Sequence, residues 1–171
     1  MMTTLKNTFK WEMASKAIHG IESTISSAIS YVTDLNKTLT DIRIVTGASV
    51  DDMTKFTREA NTMAKELSAT TKDIAKASLI YYQQGDNAEL AMKKAAVTTK
   101  AANVAFTASA QEMSEMLTAV WNSYKVGEDE LERVVDTMAA LGATTASSME
   151  EIMTGMEKVS STAHTVGVSV N

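Results

Sequence analysis

Apolar residues recur in alternating steps of three and four along the first part of the chain, from about Thr4 to Thr46. This spacing is the a/d pattern of a heptad repeat, which predicts a long helix packed on another helix. Opposite charges are almost absent from the e and g positions, so the pattern fits packing in a multi-helix bundle as well as a two-stranded coiled coil. The seam residues that we expect in a core or an oligomer contact are Ile18, Ile21, Ile25, Val32, Leu35, Leu39 and Ile42.

Helix-start signals recur after Gly47, which we expect to end the first helix in a left-handed conformation. Each signal pairs a Ser, Thr or Asp with a carboxylate three residues later, which satisfies the free amides at a helix N-terminus. The pairs are Ser49–Asp52, Thr70–Asp73, Asp86–Glu89, Ser109–Glu112 and Ser148–Glu151. The helices predicted in this way cover residues 50–68, 71–84, 87–106, 110–125, 128–141 and 149–165.

A second glycine, Gly142, stands in a similar local sequence to Gly47. Both precede a polar linker and an acidic helix start, in TGASVDDMTKF and LGATTASSMEEI. We therefore expect Gly142 to end a helix as well.

Two of the later helices carry Met-rich apolar stripes, and the chain has 12 Met in all. At helical spacing such stripes fill a core, and they also occur on adaptable surfaces that bind partner helices. The residues of this possible partner face are Met113, Met116, Trp121, Tyr124, Met149, Met153 and Met156.

The fold class follows from these helices together with the composition. With 0 Pro, 0 Cys and 7 Gly in 171 residues, the chain lacks the turn signals of hairpin-rich β folds. We predict an all-α protein with a long heptad-patterned helix over residues 1–47. Antiparallel helical hairpins follow over residues 48–171, as one continuous unit that is truncated at its C-terminus. Both a compact bundle and an elongated helical assembly satisfy this pattern.

Charge argues against nucleic-acid binding. Residues 1–110 hold 13 Lys and Arg against 11 Asp and Glu, a balance of +2, and residues 111–171 hold 3 against 10, a balance of −7. A nucleic-acid site needs a clustered cationic face. Lys93, Lys94 and Lys100 come nearest to one, and without stacking aromatics we interpret them as a solvated helix face.

No catalytic, metal or cofactor site emerges from the residue pattern. The two histidines, His19 and His164, have no metal-ligand spacing, and the adjacent carboxylates fall at predicted helix starts, where the helix dipole accounts for them. We therefore expect no enzyme activity and no cofactor. No stretch is long and apolar enough to predict a membrane span.

Four segments in one order resemble a known family. They are LNKTLTDIRIVTGAS (Leu35–Ser49), SLIYYQQG (Ser78–Gly85), LTAVWNSYKVG (Leu117–Gly127) and the stretch Met138–Asn171. Together they are similar to the core region of tail tape measure proteins of long-tailed bacteriophages. Members of that family usually have many hundreds of residues, so we expect this chain to be a fragment.

The resemblance implies a structural role in tail assembly. Family members are helical templates that set the length of the tail tube and leave it during genome ejection. The implied partners are further copies of the chain, the tail tube protein, tail tip proteins and assembly chaperones. The implied location is the tail tube lumen of the virion, after assembly in the host cytoplasm. The alternative is a helical protein–protein interaction module that uses the Met-rich faces.

Overall fold

The computed structural model describes residue 24 and residues 26–105, 108–124 and 126–166, with the side chains of 160, 161 and 163–166 excepted. Every regular element among these residues is a helix, and none is a strand. The predicted all-α class is confirmed.

Seven α-helices follow one another along the described residues. The first, α1, covers residues 26–46, residue 24 is helical as well, and the rest of the predicted helix lies outside the described residues. The others are α2 (Val50–Glu66), α3 (Thr71–Gln83), α4 (Ala88–Ala105), α5 (Ala110–Ser123), α6 (Leu131–Thr144) and α7 (Met149–Val166). A 3-10 turn, Glu128–Glu130, leads directly into α6.

The chain divides into two compact units, Met1–Lys37 and Thr38–Asn171. In the first unit, the described residues are helical. The second unit holds the end of α1 and the six helices after it. The predicted division at residue 47 stays a prediction.

Capping boxes start four of the helices, as the spacing predicts. At α2, the Ser49 N–H donates to Asp52 Oδ2 at 3.1 Å, and the Asp52 N–H donates to Ser49 Oγ at 3.1 Å. The same reciprocal pair forms at α3, α5 and α7. The hydrogen bonds from Ser49 lower the pKa of Asp52, since they stabilise its carboxylate.

The cap predicted at Asp86 is wrong by one residue. Asn87 precedes α4, and its Oδ1 accepts the Leu90 N–H at 2.9 Å. The Asp86 carboxylate instead accepts a hydrogen bond from Lys94 Nζ at 2.7 Å. Aspartate and asparagine are both able to cap a helix. Here the Asp86 carboxylate is held by Lys94, and Asn87 caps α4.

The two glycines with similar local sequences have different roles. Gly47 ends α1 at a φ of +67°, as predicted, and its N–H donates to Arg43 O at 2.9 Å. Gly142 does not end its helix, because α6 continues to Thr144. A Cβ on Gly142 would lie 2.9 Å from the backbone nitrogen of Met149, so this glycine allows the start of α7 to pack closely on α6.

The core of the second unit forms where α3 contacts α2, α4 and α5, where α4 contacts α5 and α6, and where α7 contacts α5 and α6. The short turn that holds Asp86 joins α3 to α4, and Tyr81 on α3 contacts Thr98 on α4. The largest fully buried apolar side chains are Ile42, Ile74, Tyr81, Met113, Leu117, Val120, Leu131, Met138 and Met153.

The close approach at Gly142 predicts opposite effects for two Gly→Ala substitutions. Gly142→Ala is expected to lower the free energy of unfolding by about 1–3 kcal/mol, because the added methyl group meets backbone that cannot rotate away. Gly155→Ala, also in a helix but with open space around it, is expected to raise it by about 0.5–1 kcal/mol. Urea unfolding followed by circular dichroism measures both, and a stabilised Gly142→Ala variant would contradict the close contact.

Candidate functional site: helix interaction surfaces

The predicted heptad seam is only partly within the described residues. Ile18, Ile21 and Ile25 lie outside them. In the first unit, Val32 is 62% exposed and Leu35 is half-buried. In the second unit, Leu39 is half-buried, and Ile42 is fully buried. The role of the seam as a core or an oligomer contact stays a prediction.

The Met-rich stripes on α5 and α7 face other helices of the same chain. Five of the seven predicted residues are buried: Met113, Trp121, Tyr124, Met149 and Met153. The other two, Met116 and Met156, are half-buried. A partner helix would therefore find little of this face accessible in the folded chain, and its use as a docking face stays a prediction.

A buried polar cluster between α3, α4 and α5 is the feature that the sequence analysis missed. The hydroxyl of Tyr81, on α3, lies 2.5 Å from Thr98 Oγ1 on α4, and both side chains are completely buried. Thr98 donates its own proton to Lys94 O at 2.7 Å, so the Tyr81 hydroxyl is the donor to Thr98. The hydroxyls of Ser114 and Thr118, on α5, lie near enough to the Tyr81 phenol to lower its pKa somewhat. We call these four residues the tyrosine node.

The surroundings of the tyrosine node disfavour ionisation of the phenol. Burial raises the pKa of Tyr81 to about 12, because the low-polarity interior opposes the phenolate, and the carboxylate of Asp86 acts in the same direction. The hydroxyls around it are too few to reverse this effect. The node thus holds three helices in register and offers no reactive oxygen to a ligand.

A largely buried ion pair lies beside the node. Lys94 Nζ and Asp86 Oδ2 are 2.7 Å apart, and their side chains are only 11% and 15% exposed. The Lys94 ammonium also lies 5.5 Å from the centroid of the Tyr81 ring, within the range of a cation–π contact. Interpreting Lys94 as part of a solvated face is therefore wrong. Its partner lies across the α3–α4 turn, which spacing along α4 alone could not indicate.

The other two lysines of that group do lie on the surface. Lys93 Nζ is 3.7 Å from Asp129 Oδ1, and Lys100 forms an ion pair with Glu132 on α6. The hydrogen bond from Lys100 lowers the pKa of the Glu132 carboxyl group. Two of the three lysines thus face carboxylates of the acidic final third and do not form a free cationic patch.

Within the part of the chain that the structure describes, no group of His, Asp or Glu is placed to hold a metal ion. In the same residues, no helix has the length and apolar character that crossing a bilayer requires. His19 and the side chain of His164 lie outside the described residues.

The raised pKa of Tyr81 predicts a pH dependence. Since its folded-state pKa is above its unfolded value near 10, its hydroxyl contributes stability below pH 10 that is lost as the pH rises towards 12. We expect the wild type to lose up to about 3 kcal/mol more than Tyr81→Phe over this interval. Urea unfolding at several alkaline pH values measures the difference. Equal losses would show that the phenol ionises as easily in the folded chain as in the unfolded one.

Comparison with known proteins identifies the family. The profile of phage-related minor tail proteins matches residues 57–171, about two thirds of the chain. Neither the curated proteins nor the solved structures that were compared provide a match. The matched region begins within α2 and includes the tyrosine node and all later helices. The chain therefore belongs to the phage-related minor tail protein family.

Proposed function

We propose that the chain is part of a tail tape measure protein, a helical template that sets the length of the tail tube. The observation that carries this proposal is the apolar side of α1 in a chain of a phage tail family. Ile29 and Val32 are each 62% exposed there, although both are β-branched side chains that favour burial. A helix with such a face is suited to pack along other helices.

In this role, several copies of the chain lie in the tail tube lumen, and the tube protein polymerises around them. Tail tip proteins and assembly chaperones are the other partners, and the template leaves the tube when the genome is ejected. The action is structural and needs no catalytic group or cofactor. Assembly takes place in the host cytoplasm, and the protein is then located in the tail of the virion.

A template predicts that tail length follows the length of the helix. Three additional copies of residues 29–35, inserted after Leu35, add three heptads without changing the seam. At about 1.5 Å per residue, we expect tails about 30 Å longer. Electron microscopy of tails from the phage that carries the altered gene measures the mean length, with a Ser30→Asp phage as the control of unchanged length. Tails of wild-type length in the insertion phage would refute the template role.

The seam predicts that the copies associate through α1. Leu35→Asp places a charge in a half-buried apolar position and is expected to reduce helicity or dissociate the oligomer. Ser30→Asp adds the same charge at an exposed position away from the seam and should change neither property. Circular dichroism measures the helicity, and light scattering measures the molar mass of the oligomer. If Leu35→Asp keeps the wild-type helicity and mass, the seam has no role in association.

A further inference from the structure

A cleft of about 660 Å³ lies in the second unit, between the start of α2 and the turn that joins α3 to α4. Its volume is within the usual range of small-molecule sites. Its lining has four larger apolar side chains that are buried or half-buried: Met53, Phe56, Tyr82 and Met92. The charged residues of the lining are Asp52, Lys55, Glu59 and Asp86. We call this site the Tyr82 cleft.

The hydroxyl group of Tyr82 has no hydrogen-bond partner among the residues that the structure describes. The side chain is only 8% exposed, and its ring meets the ring of Phe56 edge to face, with 6.1 Å between the centroids. A phenol that is buried to this extent usually has a hydrogen bond. The Tyr82 oxygen still reaches solvent, so a bound group is able to supply the missing partner.

The carboxylate of Glu59 lies near this hydroxyl. Burial of the phenol raises the pKa of Tyr82, and the negative charge of Glu59 raises it further. Glu59 is exposed, lines the same cleft and forms no hydrogen bond with the phenol. Two neighbouring oxygen acceptors are therefore open to a third group.

The lining has one negative charge that no cation offsets. Asp86 is paired with Lys94 at 2.7 Å. Hydrogen bonds lower the pKa of Asp52, and the ammonium group of Lys55 lowers it as well. Within the described part of the chain, Glu59 has neither a hydrogen bond nor an ion pair. The cleft thus lacks a positive charge beside the phenol.

We propose that the Tyr82 cleft binds the guanidinium group of a ligand, either a free alkylguanidine or the side chain of an arginine. The guanidinium donates hydrogen bonds to the Glu59 carboxylate and to the Tyr82 oxygen, and its alkyl chain lies on Met53 and Met92. Its five N–H donors are arranged in one plane, which lets it reach two neighbouring acceptors at once. This site goes beyond the template role and does not rest on it.

An anionic ligand is the competing interpretation, because Lys55 is exposed and lines the same cleft. Glu59 would repel such a ligand, and Asp52 already offsets the ammonium group of Lys55. The two interpretations predict opposite effects of removing the lysine charge. A bound cation gains affinity when Lys55 is neutralised, whereas a bound anion loses it.

Binding is measured by NMR in the isotope-labelled full chain, with n-butylguanidinium and with its uncharged counterpart n-butylurea. We expect butylguanidinium to shift the amide resonance of Gly85, which lines the cleft, and to leave that of Gly155 on α7 unchanged. Butylurea should bind at least about fivefold more weakly, since it cannot pair with Glu59. Equal binding of the two ligands, or no shift at Gly85 with tens of millimolar butylguanidinium, would overturn the proposal.

Three substitutions test the contacts one at a time. Tyr82→Phe removes a hydroxyl that has no partner in the described fold and should weaken binding about tenfold. Glu59→Gln should weaken it about fivefold, and Lys55→Gln should strengthen it about threefold. Glu66→Gln, at the other end of α2, is the matched control and should bind like the wild type.

Unchanged affinity in Tyr82→Phe or in Glu59→Gln would refute the assigned contacts. Weaker binding by Lys55→Gln would show that the cleft takes an anion. Far-UV circular dichroism of each variant verifies that the helices are intact.

A third ligand, N-acetylarginine amide, distinguishes the two sources of the guanidinium group. Binding at least as tight as that of butylguanidinium identifies an arginine of a partner protein, because the cleft then accommodates the backbone that carries the side chain. Weaker binding identifies a free alkylguanidine. If neither ligand binds, the proposal is wrong, whatever the result for tail length.

Discussion

Three helices, α3, α4 and α5, close around one buried phenol, and the construction of the second unit depends on this contact. Fully buried alanines on α3 and α4, such as Ala77, Ala91 and Ala95, permit the helices to approach closely. Each alanine buries little apolar area, so burial of apolar surface alone specifies only weakly how the three helices align along one another. The hydroxyl of Tyr81 supplies that specificity, because a buried polar group is stable only where its partners are in place.

The helix α4 links this core to α6, and α5 links it to α7. One side of α4 carries Thr98 and Lys94 towards α3 and the turn after it, and another carries Lys93 towards the 3-10 turn and Lys100 towards α6. These last two ion pairs are exposed and contribute little to stability. The attachment of α6 and α7 therefore rests mainly on their buried apolar residues, which include Leu131, Val134, Val135, Met138 and Met153.

Among the described residues, most of the exposed large apolar side chains lie on α1 and at the turn into α2. A tail protein that works by packing against other chains needs such surfaces, whereas its buried stripes serve its own fold. The Met-rich stripes illustrate the difference. They have the spacing of a binding face, but α5 and α7 contact each other, and the methionines at the centre of the stripes are buried.

The helices could be predicted closely, because their signals are local. A serine or threonine and a carboxylate three residues later form a capping box through their own backbone, and they do so at α2, α3, α5 and α7. The prediction failed at Asp86 and at Gly142, where a residue of the following helix intervenes. Lys94 binds the Asp86 carboxylate, and the backbone of Met149 comes against Gly142.

Helix number, helix starts and the all-α class thus follow from residues that are near one another in the chain. The tertiary structure alone decided which apolar face is covered, since an amphipathic stripe needs only some apolar partner and does not specify which one. It also decided that Tyr81, Thr98 and Ser114 share one buried cluster. A threonine or serine on a helix has the same local pattern in a core as on a surface, and only the packing of three helices makes its hydroxyl a structural contact.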